Sequence, residues 1–235
     1  MSLVRMLVLG AVLLLLTVTT SSSYIRLSGD GLHCEPKPTC LTVAAPGERA
    51  AISGAPVKVT LARSIHRLSA SVATIWLIVL LISAWKRLAR PGDRLSLIGL
   101  LLLAGILAVI GISGDPQSTS VVLANLMGGM GMVAFSGWLL GATSSRPHEL
   151  ASTIPAMSIV LILCFAQIAL GGLLSAHAGA RACASLPLCA PLLPDGPIAW
   201  QALNPWMDAI TDLDSDAWRS ALAMIHNLHR VIVIL

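Results

Sequence analysis

Leu95 to Ser113 reads LSLIGLLLLAGILAVIGIS, nineteen residues without one charged side chain. At 1.5 Å per residue a helix of that length rises roughly 28 Å, close to the ~30 Å hydrocarbon core of a bilayer. No polar stripe recurs at helical spacing, so this segment has no face suited to water. Similar runs lie on both sides of it. Spans are predicted over Leu3–Thr20, Leu68–Trp85, Leu95–Ser113, Val121–Gly141 and Ile154–Ser175, the last with Pro155 in its first turn, where a missing N–H costs nothing. A sixth starts near Ala217 and is still apolar at Leu235. Its roughly 15 apolar residues fall short of the ~20 that cross a bilayer, so it reads as incomplete.

Composition agrees. Hydrophobic residues make up 56% of the 235 and charged residues 11%, and the mean hydropathy is +0.84. A soluble domain carries about 25% charged residues, so too little charge is present to cover a wet surface. The formal net charge of +4 forms no basic stripe interleaved with aromatics, which sets nucleic acid aside as a partner. The first span reads as a retained helix rather than a signal peptide, because Thr17 to Ser23 is a hydroxyl-rich run with no A-x-A cleavage pattern.

Lys86, Arg87, Arg90 and Arg94 lie between spans two and three, Arg146 between four and five, and Arg5 before span one. The positive-inside rule makes these cytoplasmic, and the outer loops 21–67 and 176–217 non-cytoplasmic. The second outer loop carries Asp195, Asp208, Asp212, Asp214 and Asp216 against few basic residues.

Four of the five cysteines fall in those outer loops, as Cys34/Cys40 and Cys183/Cys189, both C-x5-C with a proline shortly before the second cysteine. An oxidising compartment favours a disulfide within each pair. Cys164, inside span five, reads as a small apolar packing residue.

The cysteine loops belong to a wider repeat. A helix, a looped cysteine pair and a helix bearing His-Arg occur twice in the same order, ending at His66-Arg67 and at His229-Arg230. Internal duplication is common in membrane bundles. The expected fold is an all-α membrane protein, a pseudo-symmetric repeat of four-helix bundles with six of eight spans visible. Residues 1–145 form the amino-terminal bundle and 146–235 the start of the carboxy-terminal one.

An ionisable side chain within a span is a functional hypothesis by default. Neutral imidazole suits heme iron, offering a lone pair from one ring nitrogen while the other is hydrogen-bonded. A His-Arg pair near the outer end of a span supplies that ligand and a cation for a propionate. The plain alternative is that each histidine merely edges its helix; recurrence at the duplicated position favours the ligand. His226 shares a helical face with His229 and reads as a neighbouring or interfacial group. His33, His148 and His177 read as solvated.

These residues resemble the heme A synthase family, membrane proteins that oxidise the methyl group of heme O to a formyl group. The resemblance rests on Ile25 to Leu32 (IRLSGDGL) running into Cys34 and Cys40, then His66-Arg67. It continues through Gln167 to Gly172 (QIALGG), Cys183 with Pro187-Leu188-Cys189, and His229-Arg230. It implies heme b as cofactor, heme O and heme A as substrate and product, and His66 and His229 as iron ligands. Arg67 and Arg230 would stand beside the heme. Further implied are an inner (cell) membrane location in a bacterium, a role in cytochrome oxidase assembly, and heme O synthase or terminal oxidase subunits as partners beside heme and the lipid bilayer. Two positions depart from the family pattern. Arg63 stands where the family has a carboxylate, usually glutamate, three residues before the first His-Arg. Asn125 stands where it has a histidine in span four. No catalytic residue is therefore assigned.

Three other readings compete. A non-catalytic heme-binding assembly paralogue is motivated by Arg63 and Asn125. A membrane thiol oxidoreductase is motivated by the cysteine pairs, though such enzymes favour the closer C-x-x-C spacing. A transporter would need interrupted helices at matching positions; Gly128, Gly129 and Gly131 instead read as sites of close helix contact.

Overall fold

The computed structural model describes residues 3–29, 57–86, 91–114, 118–143, 154–177, 183, 188–189, 198–207 and 216–234. Among these there are seven helices and no strand: α1 (Leu3–Gly29), α2 (Val57–Ala84), α3 (Pro91–Ser113), α4 (Thr119–Ala142), α5 (Ile154–Ala176), the single turn α6 (Ile198–Gln201) and α7 (Asp216–Ile234). α1 to α5 are long and apolar enough to cross a membrane, so the chain is an integral multi-pass membrane protein. Their outward faces carry Ile82, Leu102, Ile112 and Ile162, with Ile112 87% exposed. Side chains so apolar belong against lipid. α7 has nineteen residues but is not one of the five, having Arg219, His226, His229 and Arg230 within it.

The ends of α3, α4 and α5 fall within about one turn of their predicted positions, a margin usual for helix boundaries. Pro91 opens α3 and Pro155 lies in the first turn of α5. α1 and α2 are longer than predicted and take up both flanks of the segment 21–67 that was expected to be loop. α1 runs nine residues past Thr20 because its hydroxyls satisfy themselves within the helix. Thr17, Thr20 and Ser21 each donate to the carbonyl four residues earlier, at 2.7–2.9 Å. α2 begins eleven residues before Leu68. His66 and Arg67 therefore lie well inside a helix, although His66 is only the sixth residue of the apolar stretch Leu61–Ala84.

The helices form two compact units. The first holds α1, α2, α3 and α4 from Gly128 onward; the second holds α4 up to Met127 with α5, α6 and α7. Val8, Leu15, Leu77, Leu80, Leu97 and Leu139 form the core of the first. Small residues set its spacing. A Cβ at Gly10 would lie 2.7 Å from the Trp76 ring, so the bare backbone lets the indole lie across α1 and donate to the Leu7 carbonyl at 2.8 Å. A Cβ at Gly128 would meet Leu107 at 2.6 Å, and one at Gly129 would meet Thr19 at 3.1 Å. The glycines of α4 thus mark close helix contacts, as expected.

In the second unit α5 packs on α7 around Leu174, Trp218, Leu222, Met224 and Ile225. The two helices run antiparallel: Gly171 meets His229, while His177, six residues further along α5, meets Trp218, eleven residues earlier on α7. At the other face of α5, Gly172 admits Leu123 and Leu126 of α4, which its Cβ would meet at 2.9 and 3.0 Å.

Candidate functional site

The two His-Arg dipeptides sit in different local settings. His66 is half-buried, and its Nδ1 lies 3.1 Å from the Val18 carbonyl of α1 and 3.5 Å from Ser21 Oγ. A carbonyl can only accept, so Nδ1 carries the proton and the lone pair is left on Nε2. A backbone carbonyl fixing one ring nitrogen so that the other can coordinate is the arrangement metal-binding histidines use. Arg63 and Arg67 are both exposed, one on each side of His66 in the chain and four residues apart, hence neighbours on the helix surface. Beside His66 runs an apolar groove of about 700 Å³ between α1 and α2, lined by Leu13, Thr17, Thr20, Tyr24, Leu61 and Ile65 among others.

His229 is held by its other nitrogen. Its Nε2 lies 3.1 Å from Nε2 of Gln167 on α5, and its Nδ1 is buried without a hydrogen-bond partner. The ring is seated on Gly171, whose Cβ, were there one, would stand 3.2 Å from Cε1. Arg230 points elsewhere, its Nη1 lying 3.8 Å from Sγ of Cys189. The pair lies at the fourteenth and fifteenth residues of α7. Asn125 is half-buried on α4, in the unit that holds α5 and α7.

Cys183 and Cys189 are both buried, against Ala223 of α7, with Cα atoms 5.7 Å apart. That is the separation a disulfide spans. Cys34 and Cys40 lie outside the described residues, as do His33 and His148. Cys164 is exposed on α5 rather than packed. His226 is half-buried.

Three features were not foreseen. Asn227 is buried and clamps Cys189: the Cys189 N–H donates to Oδ1 at 2.8 Å, and Nδ2 donates to the Cys189 carbonyl at 3.0 Å. A polar residue two positions before His229 was the available signal. Gln167 was seen only as part of a motif, not as the partner of His229. His177, read as solvated, is only 2% exposed. The Trp218 ring stands edge-on to it at 5.1 Å, and neither ring nitrogen has a hydrogen-bond partner. Burial holds its pKa below the ordinary value.

Among the described residues no three His, Cys, Asp or Glu side chains converge as a metal site. A porphyrin, which needs only axial ligands, is compatible with that. His66 presents a free lone pair, and His229 does so once Gln167 is displaced.

The family model described as cytochrome oxidase assembly protein matches residues 5–235. No curated protein and no solved structure matches the chain. With nearly its whole length covered, the chain belongs to the cytochrome oxidase assembly protein family, that of the heme A synthases.

Proposed function

We propose that this protein binds heme through His66 and His229 and oxidises the methyl group of heme O to the formyl group of heme A in support of cytochrome oxidase assembly. The observation that carries the reading is the His66 ring, whose Nδ1 is committed to the Val18 carbonyl at 3.1 Å, so that Nε2 keeps the lone pair iron requires. Bound heme b would supply redox chemistry, and heme O the methyl group that is oxidised. The chain's own residues supply the rest. Val18 orients the imidazole. Arg63 and Arg67, four residues apart and exposed, offer two cations for heme propionates. Gly171 makes room for the His229 ring.

The repeat of helix, cysteine loop and His-Arg supports an amino-terminal four-helix bundle over 1–145 and the start of a carboxy-terminal one, two of its four helices, over 146–235. The cationic short loops support an inner (cell) membrane orientation with the cysteine loops outside the cytoplasm, where Cys34–Cys40 and Cys183–Cys189 form structural disulfides. Burial of the second pair speaks against a thiol oxidoreductase, whose reactive cysteine needs access. Heme O synthase and terminal oxidase subunits are the expected protein partners.

A second reading is favoured by Arg63. A fixed cation where the family has a carboxylate removes a proton acceptor, which suits a protein that holds heme without converting it. Expression in a strain that makes heme O but lacks heme A synthase, followed by chromatography of the extracted hemes, separates the two. Heme A appearing with the protein supports the first reading. Bound heme without any heme A supports the second. Absence of heme from the purified protein contradicts both.

A further inference from the structure

The coordinating nitrogen of His229 is already occupied. Gln167 Nε2 stands 3.1 Å from His229 Nε2, and either orientation of that amide withholds the lone pair. If the amide N–H donates, the lone pair accepts it. If the amide is turned so that its oxygen accepts, Nε2 bears the proton. Nδ1 is buried without a hydrogen-bond partner, and the ring meets Gly171 through Cε1, between its two nitrogens. The Gln167 oxygen is itself buried and unpartnered, so nothing else in the described residues anchors this amide. A glutamine side chain can swing clear by rotation about its own bonds, whereas the imidazole is seated against the backbone of α5 at Gly171.

From this geometry we propose that Gln167 is a positioning residue that caps Nε2 of His229 in the heme-free protein and yields that nitrogen to iron when heme enters. The proposal rests on His229 being a heme ligand. In the exchange the Gln167–His229 hydrogen bond breaks, the iron–Nε2 bond forms, and water leaves the iron. Any proton on Nε2 shifts to Nδ1. No electron is transferred. The cap satisfies Nε2 and keeps its lone pair out of reach of stray metal ions until a porphyrin-sized ligand displaces it.

The test is hemin binding to the full-length protein in detergent, followed by stopped-flow absorbance. Gln167→Leu keeps the size and removes the cap. Association should become about three- to tenfold faster, the order of one neutral hydrogen bond, with the spectrum of the loaded form unchanged. Gln167→Glu should slow it several-fold, because a carboxylate accepting from Nε2–H holds the ring protonated. Gln167→Met guards against a folding defect and should behave as the leucine variant does. Equal or slower association in both apolar variants, with native helix content, overturns the proposal while leaving His229 as ligand. If His229→Ala binds hemin with the wild-type spectrum, or the wild type binds none, the ligand assignment itself fails and the cap with it.

Discussion

His66 and His229 are the same residue in the same dipeptide at the same place in a repeat, yet their rings are held by opposite nitrogens. The first is fixed through Nδ1 by a main-chain carbonyl, the second through Nε2 by a side-chain amide. A carbonyl leaves the ring ready to coordinate; an amide must be moved aside first. Duplication has kept the histidine and changed what orients it. The helices that carry them differ as well. α2 is an apolar span, whereas α7 is short, carries charge, and is tied to the cysteine loop by Asn227 and Arg230.

That contrast can be broken by removing the tie. Asn227→Ala strands a buried N–H and a buried carbonyl on Cys189, at about 1–3 kcal/mol each before water relieves part of the cost. A loss of about 2–4 kcal/mol is expected in the thermal or denaturant unfolding of detergent-solubilised protein. Ser64 holds the matching position two residues before His66 and is exposed; Ser64→Ala should change stability by under about 0.5 kcal/mol. Equal effects would mean that the two helices are anchored alike.

Acid should sharpen the same contrast, by a smaller amount. His177 lies one residue beyond the apolar stretch Met157–Ala176, and burial lowers its pKa from the ordinary 6.5. The unfolded chain takes up the proton more readily than the folded one. The stability linked to this group is thus fully present above about pH 6.5 and declines as pH falls toward the folded pKa, by at most ~1.4 kcal/mol per pH unit. His177→Phe, which keeps the ring against Trp218, should flatten that decline. An unaltered pH profile in the variant would place the sensitivity elsewhere.

Much of this architecture was legible in the residues, for a physical reason. Leu95–Ser113, Val121–Gly141 and Ile154–Ser175 are uncharged, predominantly apolar runs, and lipid permits such a run only one structure, the helix that satisfies its own backbone. α1 and α2 were read short because Thr17 to Ser23 and Val57 to Arg67 are polar enough to resemble loop. In the fold the hydroxyls of the first stretch turn back on their own carbonyls, a bond no hydropathy pattern reveals. The histidines were found by recurrence. What holds them was not, because Val18 is 48 residues from His66 and Gln167 is 62 from His229. Such pairings depend on how helices pack, and packing is not periodic in the chain. His177 failed for the same reason: a histidine at a helix end is ordinarily wet, and only the distant Trp218 covers it.

The most direct measurement is pyridine hemochrome stoichiometry on the full-length protein, wild type beside His66→Ala and His229→Ala. Iron gripped by each of these imidazoles predicts that either substitution removes its own share of the heme and leaves the other share, with wild-type helix content. Retention of the full wild-type heme and absorption spectrum in both variants would contradict the account.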